Sequence, residues 1–351
     1  MINKYRSLGR TGIKVSPLSL GTMTFGEQNT KAEGHAQLDL ALDHGVNLID
    51  TAEQYPVPPR AETYGETEAI IGDWLARPGN RERVVLATKV AGPTTGLPTT
   101  KHIRGGLSRL DRANITDALD QSLKRLRTDY IDLYQLHWPD RATNFFGKLG
   151  YEHPAKDEST PILETLEVLG DLVKTGKIRS FGVSNETPWG LSKYIHLAET
   201  KKLPRVASIQ NPYSLLNRTY EIGLVEISIR EEVGLLAYSP LAFGVLSGKY
   251  LDGTASPNSR LKLYPQFSRY NHEHSQTATK AYVALAKKHG ISPSQLALAY
   301  ALSKPFITSV IVGATTLNQL KENLLSADLA LSPEIIAEIE AIHNHHPNPA
   351  P

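Results

Sequence analysis

The stretch that most constrains this chain is Tyr130-Ile131-Asp132-Leu133-Tyr134-Gln135-Leu136-His137-Trp138-Pro139. An apolar-rich run ends on a histidine and is closed by a proline. It reads as a buried strand that delivers His137 to its C-terminal end. Runs over 46–50, 84–89 and 178–185 have the same form and leave Asp50, Lys89 and Ser184-Asn185 at their exits. Polar groups at the ends of several apolar strands are expected of a parallel barrel with its site on one rim.

The remainder of the chain alternates in the same way. Further strands are expected over 18–21, 206–210, 234–238 and 308–312. Helical patterns lie between the strands, over 32–44, 66–76, 111–126, 161–175, 189–200 and 221–231. Others cover 275–289, 293–303, 317–324 and 333–343. The strand candidates number 8, and parallel strands joined by helices bury both sheet faces and can close on themselves. The expected fold is an α/β (β/α)8 TIM barrel over residues 1–351 as one domain. A short N-terminal β-hairpin over 5–15, punctuated by Gly9 and Gly12, precedes it. Two long loops, 140–160 and 244–274, extend it, and 92–110 reads as a third loop. The 140–160 segment is Pro/Gly/polar with Phe145 and Phe146 adjacent, and is read as a substrate cover. An open doubly wound sheet is the alternative. Against it, no Gly-x-Gly-x-x-Gly follows the first strand.

Composition narrows the function classes. The net charge of +2 gives no support for a nucleic-acid partner. There are 0 cysteines, which excludes disulfides, thiolate catalysis and cysteine metal sites. No apolar h-region follows the N-terminus and no apolar run approaches a membrane span. The expectation is a soluble, cytoplasmic protein with no membrane partner; the sequence sets no oligomeric state. His343, His345 and His346 near the C-terminus read as a frayed, solvated end rather than a metal site.

Asp50, Lys89 and His137 would stand side by side at the ends of neighbouring strands, with Tyr55 five residues past Asp50. Together they fit acid-assisted hydride transfer to a carbonyl. Negative charge develops on the carbonyl oxygen and a proton must meet it. A free tyrosine has a pKa of about 10, and a nearby ammonium would lower it. Asp50 would orient Lys89, and His137 would steer and polarise the carbonyl. No metal is required by this chemistry. Singly, each residue has an ordinary structural explanation; the case rests on all four in order.

In these residues the chain resembles the aldo-keto reductases. Asp50-Thr51-Ala52 with Tyr55, then Lys89, then His137 looks like the family tetrad. The segment 178–185 looks like its strand-five signature. Ile311-Val312-Gly313-Ala314-Thr315 with Gln319-Leu320-Lys321-Glu322-Asn323 looks like its C-terminal cofactor segment. Gly21-Thr22-Met23-Thr24-Phe25-Gly26-Glu27-Gln28 and Tyr55-Pro56-Val57-Pro58-Pro59-Arg60 resemble a bacterial subgroup of that family.

The resemblance implies NADPH/NADP+ as cofactor and a small-molecule aldehyde or ketone as substrate. It implies that Ser184, Asn185 and Gln210 bind the carboxamide and that Tyr238 stacks on the nicotinamide. Ser239, Pro240, Leu241, Gly244, Leu246 and Gly248 would pass over the pyrophosphate. Lys249 and Arg260 would reach phosphates, Arg260 being the better candidate for the adenosine 2'-phosphate. Gly313, Thr315, Gln319, Glu322 and Asn323 would serve the adenosine side, with backbone donors of the loop before helix 317–324 near a phosphate. Thr22, Met23 and Asp50 complete the cofactor set. The substrate would sit against Phe25, Tyr55, His137, Trp138 and Phe145, and the pro-R hydrogen of nicotinamide C4 would be the hydride. One departure stands out. Many members place glycine after the catalytic tyrosine, whereas here Pro56 follows Tyr55 and Tyr64-Gly65-Glu66-Thr67-Glu68 carries that second cue. Tyr55 is preferred for its short tether to Asp50, with Tyr64 as runner-up. Two other readings stay open. One is a nicotinamide-nucleotide-sensing interaction protein similar to potassium-channel beta subunits; the other is a barrel enzyme acting on phosphorylated sugars.

Overall fold

The computed structural model describes residues 2, 4–95 and 97–351; the parts of the 1–351 domain and 92–110 loop expectations that fall on Met1, Asn3 and Gly96 lie outside these. Strands β1 (Arg6–Ser7) and β2 (Lys14–Val15) pair antiparallel as the expected hairpin. Then come β3 (Leu18–Gly21), β4 (Leu48–Asp50), β5 (Val85–Val90), β6 (Ile131–Leu136) and β7 (Ile178–Ser184). They are followed by β8 (Ser208–Pro212), β9 (Gly234–Tyr238) and β10 (Ile307–Val312). Strands β3 to β10 form a closed barrel in chain order, all parallel, with β10 returning to β3. Every residue of β5, β6 and β10 is buried, as a sheet covered on both faces requires.

The helices start where the sequence provides caps. Thr30 and Glu33 form a reciprocal capping box at Lys31–Asp43, and Asp111 accepts from Asn114 N at Arg112–Leu126. Helix Glu66–Leu75 lies so close to Arg112–Leu126 that a Cβ on Gly72 would come within 2.0 Å of Arg125 O.

The hairpin closes the N-terminal end of the barrel. Leu8 and Val15 are fully buried and pack with Leu48, Ala87, Leu133, Leu236 and Ile311 from inside the strands. Because alternate residues on a strand share a face, the next inward positions are Asp50, Lys89, Gln135 and Tyr238. An apolar floor is thus overlain by a polar layer at the opposite rim.

Several expectations shift. The sixth barrel strand runs over Ser208–Pro212, two residues later than read, and the 221–231 helix is two short ones, Tyr220–Gly223 and Val225–Arg230. Segment 140–160 carries no helix or strand, whereas 244–274 holds the short helix Arg260–Leu263 and a 3-10 turn at Ser268–Tyr270. The C-terminal segment is docked rather than frayed. Helix Pro333–His345 continues through His343, the Ala350 amide donates to Leu216 O, and Asn348 accepts from the Arg218 amide. Arg218 anchors it, pairing with Glu340 at 2.8 Å. Among the described residues, no helix is long and apolar enough to cross a membrane.

Candidate active site

Lys89 is fully buried, and its Nζ donates to Asp50 Oδ2 and to Thr51 O, each at 2.7 Å. The second Asp50 oxygen accepts from Gln135 Nε2 at 3.1 Å and Gln210 Nε2 at 2.9 Å. The carboxylate therefore links β4, β5, β6 and β8. Lys89 Nζ stands 5.1 Å from the Tyr55 ring centre, and the Tyr55 and His137 rings meet edge-on with centres 5.8 Å apart. The four residues read from strand ends are brought together, with Tyr55, His137 and Asp50 facing one cavity.

The electrostatics differ from the expectation for Tyr55. Burial first, and the Asp50 charge second, push its pKa well above the usual phenol value, with Arg260 opposing. The ammonium of Lys89 does not lower it, because Asp50 lies 2.7 Å from that charge and cancels most of it. The phenol therefore holds its proton through the neutral range. Burial, reinforced by Lys89, drives the His137 pKa well below normal, so the imidazole is neutral. Its Nδ1 is buried and has no hydrogen-bond partner among the described residues.

Tyr64, the runner-up, sits elsewhere. Its hydroxyl donates to Glu53 at 2.8 Å, and Glu53 is clamped by both terminal nitrogens of Arg104. Tyr64 is not part of the cavity wall.

The cavity measures about 1770 Å³ and runs from Thr22 and Met23 past Tyr238 to Gln319. At its deep end Ser184 Oγ donates to Gln210 O at 2.8 Å, and Asn185 Nδ2 donates to His137 O at 2.9 Å. Tyr238 donates its hydroxyl to Asn185 Oδ1 at 2.7 Å. Ser239, Pro240, Leu241, Gly244, Lys249 and Arg260 continue the wall, and Gly313, Thr315, Gln319, Glu322 and Asn323 line the far side.

Residues 17–344 match the Aldo/keto reductase family. The chain belongs to the aldo/keto reductase family. Among its relatives, it is 52% identical to Protein tas of Escherichia coli over 348 residues, 99% of this chain and all of that protein. It is 35% identical to the uncharacterized oxidoreductase YrpG of Bacillus subtilis over 97% of this chain and 95% of that one. It is also 32% identical to a probable voltage-gated potassium channel subunit beta of Oryza sativa, over 98% of both. Membership brings the family reaction with it: this aldo/keto reductase converts carbonyls to alcohols with NADPH.

The residues of this aldo/keto reductase fit that cofactor. Lys249 and Arg260 are both enclosed in the groove, and among the described residues no carboxylate pairs with either. Burial lowers the pKa of Lys249, with Arg260 adding to it, and burial lowers that of Arg260. Two enclosed cations without counter-charge suit a polyphosphate. Arg260 reaches inward, with Nη1 3.8 Å from Met23 Sδ and its head group over the Phe243 ring. Two backbone donors around the start of helix Leu317–Leu325 are taken up locally. Thr315 N donates to Gln319 Oε1 at 3.0 Å, and Gln319 N to Thr316 Oγ1 at 3.2 Å. Leu246 and Gly248 stand behind the wall rather than in it, Leu246 being packed in the core.

The aromatic substrate wall also needs correction. Phe25 is fully buried against Gly34 of the first helix, so a strand-exit phenylalanine here serves the core. Trp138 is fully buried too, its indole donating to Pro93 O at 3.1 Å. Phe145 packs against the cluster of Ala91, Ile103 and Trp138, and it is Phe146, edge-on to Trp138, that faces the cavity. Sequence reasoning gave no role to Gln135 or to the Glu53–Arg104 clamp. A glutamine two residues before His137, on the same inward face of the strand, was the available signal.

Proposed function

We propose that this aldo/keto reductase reduces small aldehydes and ketones with Tyr55 as the proton donor. The observation that carries this is the placement of the Tyr55 phenol between buried Lys89 and neutral His137 on the cavity wall. NADPH, when bound, would supply a hydride for the carbonyl carbon. As charge builds on the carbonyl oxygen, Tyr55 gives it the phenolic proton, and the alkoxide, a stronger base than phenolate, takes it even from a phenol held well protonated. The transient phenolate lies beside the Lys89 ammonium, which Asp50 fixes in place. His137, neutral, orients the carbonyl by a ring hydrogen bond without competing for the proton. Ser184, Asn185, Gln210 and Tyr238 position the nicotinamide, Lys249 and Arg260 hold phosphates, and Gln319, Glu322 and Asn323 serve the adenosine end.

The test is Tyr55→Phe assayed with an aldehyde panel, alongside nicotinamide fluorescence titration. Turnover should fall about a thousandfold, the middle of the range for loss of a general acid, while NADPH still binds. Retained turnover in Tyr55→Phe with loss in Tyr64→Phe would reassign the acid. Similarity to proteins named as potassium channel beta subunits favours one second reading, a nucleotide-sensing partner protein. Tight NADPH binding without turnover on any carbonyl, together with a stable partner from cell extract, would favour it.

A further inference from the structure

Gln54 is a buried polar side chain on the cavity wall that the proposed chemistry does not use. It lies between Glu53 and Tyr55 in the loop after β4, is 4% exposed and lines the cavity. Among the described residues its Oε1 is enclosed without a hydrogen-bond partner, and no hydrogen bond takes up its Nε2. A primary amide offers two donors and an acceptor oxygen. Buried with none of them paired, it costs stability, and such a group calls for an explanation. Its neighbour shows the contrast. Glu53 accepts from Ala91 N, from the Tyr64 hydroxyl and from both terminal nitrogens of Arg104.

The position of Gln54 ties it to the reacting end. It directly precedes the proposed proton donor, and consecutive Cα atoms stand about 3.8 Å apart. Tyr55 and His137 line the same cavity. On the proposed reading the nicotinamide carboxamide is held by Ser184, Asn185 and Gln210, from the β7–β8 side of the barrel. The cofactor therefore leaves the Gln54 amide unanswered, and a polar group on the reacting compound is what remains to complete it. A hydroxyl both donates and accepts, so it matches the amide whichever way its oxygen and nitrogen are turned.

We infer that Gln54 binds a hydroxyl on the carbon next to the reacting carbonyl, and so makes this chain favour 2-hydroxy carbonyl compounds over apolar ones of the same shape. The inference rests on the catalytic reading above and adds a specificity-determining residue to it. Gln54 takes no part in proton or hydride transfer.

The experiment compares 2-hydroxypropanal with 2-methylpropanal, in which a methyl replaces the hydroxyl. The proteins are the native chain and Gln54→Met, which keeps the length of the side chain and removes the amide, with Gln54→Leu as a second apolar variant. The intrinsic reactivity of the two aldehydes cancels when their kcat/KM ratio is compared between proteins. That ratio should fall about tenfold in the variants, the scale of one hydrogen bond to a buried polar group, and chiefly through KM for 2-hydroxypropanal. The NADPH dissociation constant should be the same in all three, and the melting temperature of the ligand-free variants should be no lower than that of the native chain. An unchanged ratio overturns the inference while leaving the catalytic reading intact. Weakened NADPH binding or a lower melting temperature in both variants also overturns it, since the amide would then be engaged by cofactor or fold. Should neither aldehyde turn over, the catalytic reading fails, and calorimetric titration of the NADP+-loaded protein with propane-1,2-diol and 2-methylpropan-1-ol decides the hydroxyl site on its own. Tighter binding of the diol, lost in Gln54→Met, sustains it; equal binding of the two overturns it.

Discussion

At the scale of single residues, the site works by withholding charge. Burial and the Asp50 charge both disfavour a phenolate at Tyr55, and His137 is uncharged, so the phenol keeps its proton. The sign for pH dependence follows. An acid must be protonated to act, and its pKa lies above the ordinary phenol value, so raising the pH costs nothing until that value is passed. At saturating NADPH, kcat/KM for aldehyde reduction should stay level from about pH 7 to about pH 10. A falling limb centred near pH 8 would mean that the ammonium dominates the phenol after all. The same neutrality separates the two tyrosines. Tyr64 donates to a carboxylate already clamped by Arg104, which holds its proton in a structural bond outside the cavity.

At the scale of elements, alternation along each strand does most of the organising. Leu48 and Asp50, Ala87 and Lys89, and Leu133 and Gln135 are inward pairs two residues apart, the lower member apolar and the upper polar. This is why Asp50, Lys89 and His137 could be read from strand exits. The strands were legible because a parallel barrel strand is buried on both faces and shows as an apolar run. The substrate wall was less legible. Phe25, Trp138, Phe145 and Phe146 are equally aromatic in sequence, and only the path of the loops decides that Phe146 faces the cavity. The 244–274 segment was read as loop because its short helix, Arg260–Leu263, is too brief to show a period. The hairpin offers a test at this scale. Gly9 has φ +54°, and a Cβ there would meet Ala207 O at 2.5 Å, whereas Gly12, with φ +79°, has nothing within 4 Å. Gly9→Ala should lose about 2–3 kcal/mol of stability and Gly12→Ala about 1, measured by urea unfolding. Equal losses would show that the hairpin does not press on the barrel end.

At the scale of the whole molecule, the cofactor groove draws on loops that are far apart in the chain but follow three neighbouring barrel strands, Thr22-Met23 after β3, 239–260 after β9 and 313–323 after β10. A ligand bridging them stabilises the folded chain by linkage. Free NADPH at a hundred times its dissociation constant should add about 2.7 kcal/mol, seen as a rise in melting temperature. Added salt should shrink that rise, because Lys249 and Arg260 contribute through charge. Lys249→Ala combined with Arg260→Gln should diminish it further at low salt. A shift indifferent to both salt and these substitutions would place the phosphates elsewhere.

The hairpin has one more consequence. With Leu8 and Val15 filling the far end of the barrel, nucleotide and carbonyl compound on the proposed reading share one cavity, and the carbonyl must meet a nicotinamide already seated beside Tyr55. Turnover should therefore be compulsory in its sequence, nucleotide entering first and departing last. Product-inhibition patterns would reveal it, with NADP+ competitive against NADPH and the alcohol competitive against neither.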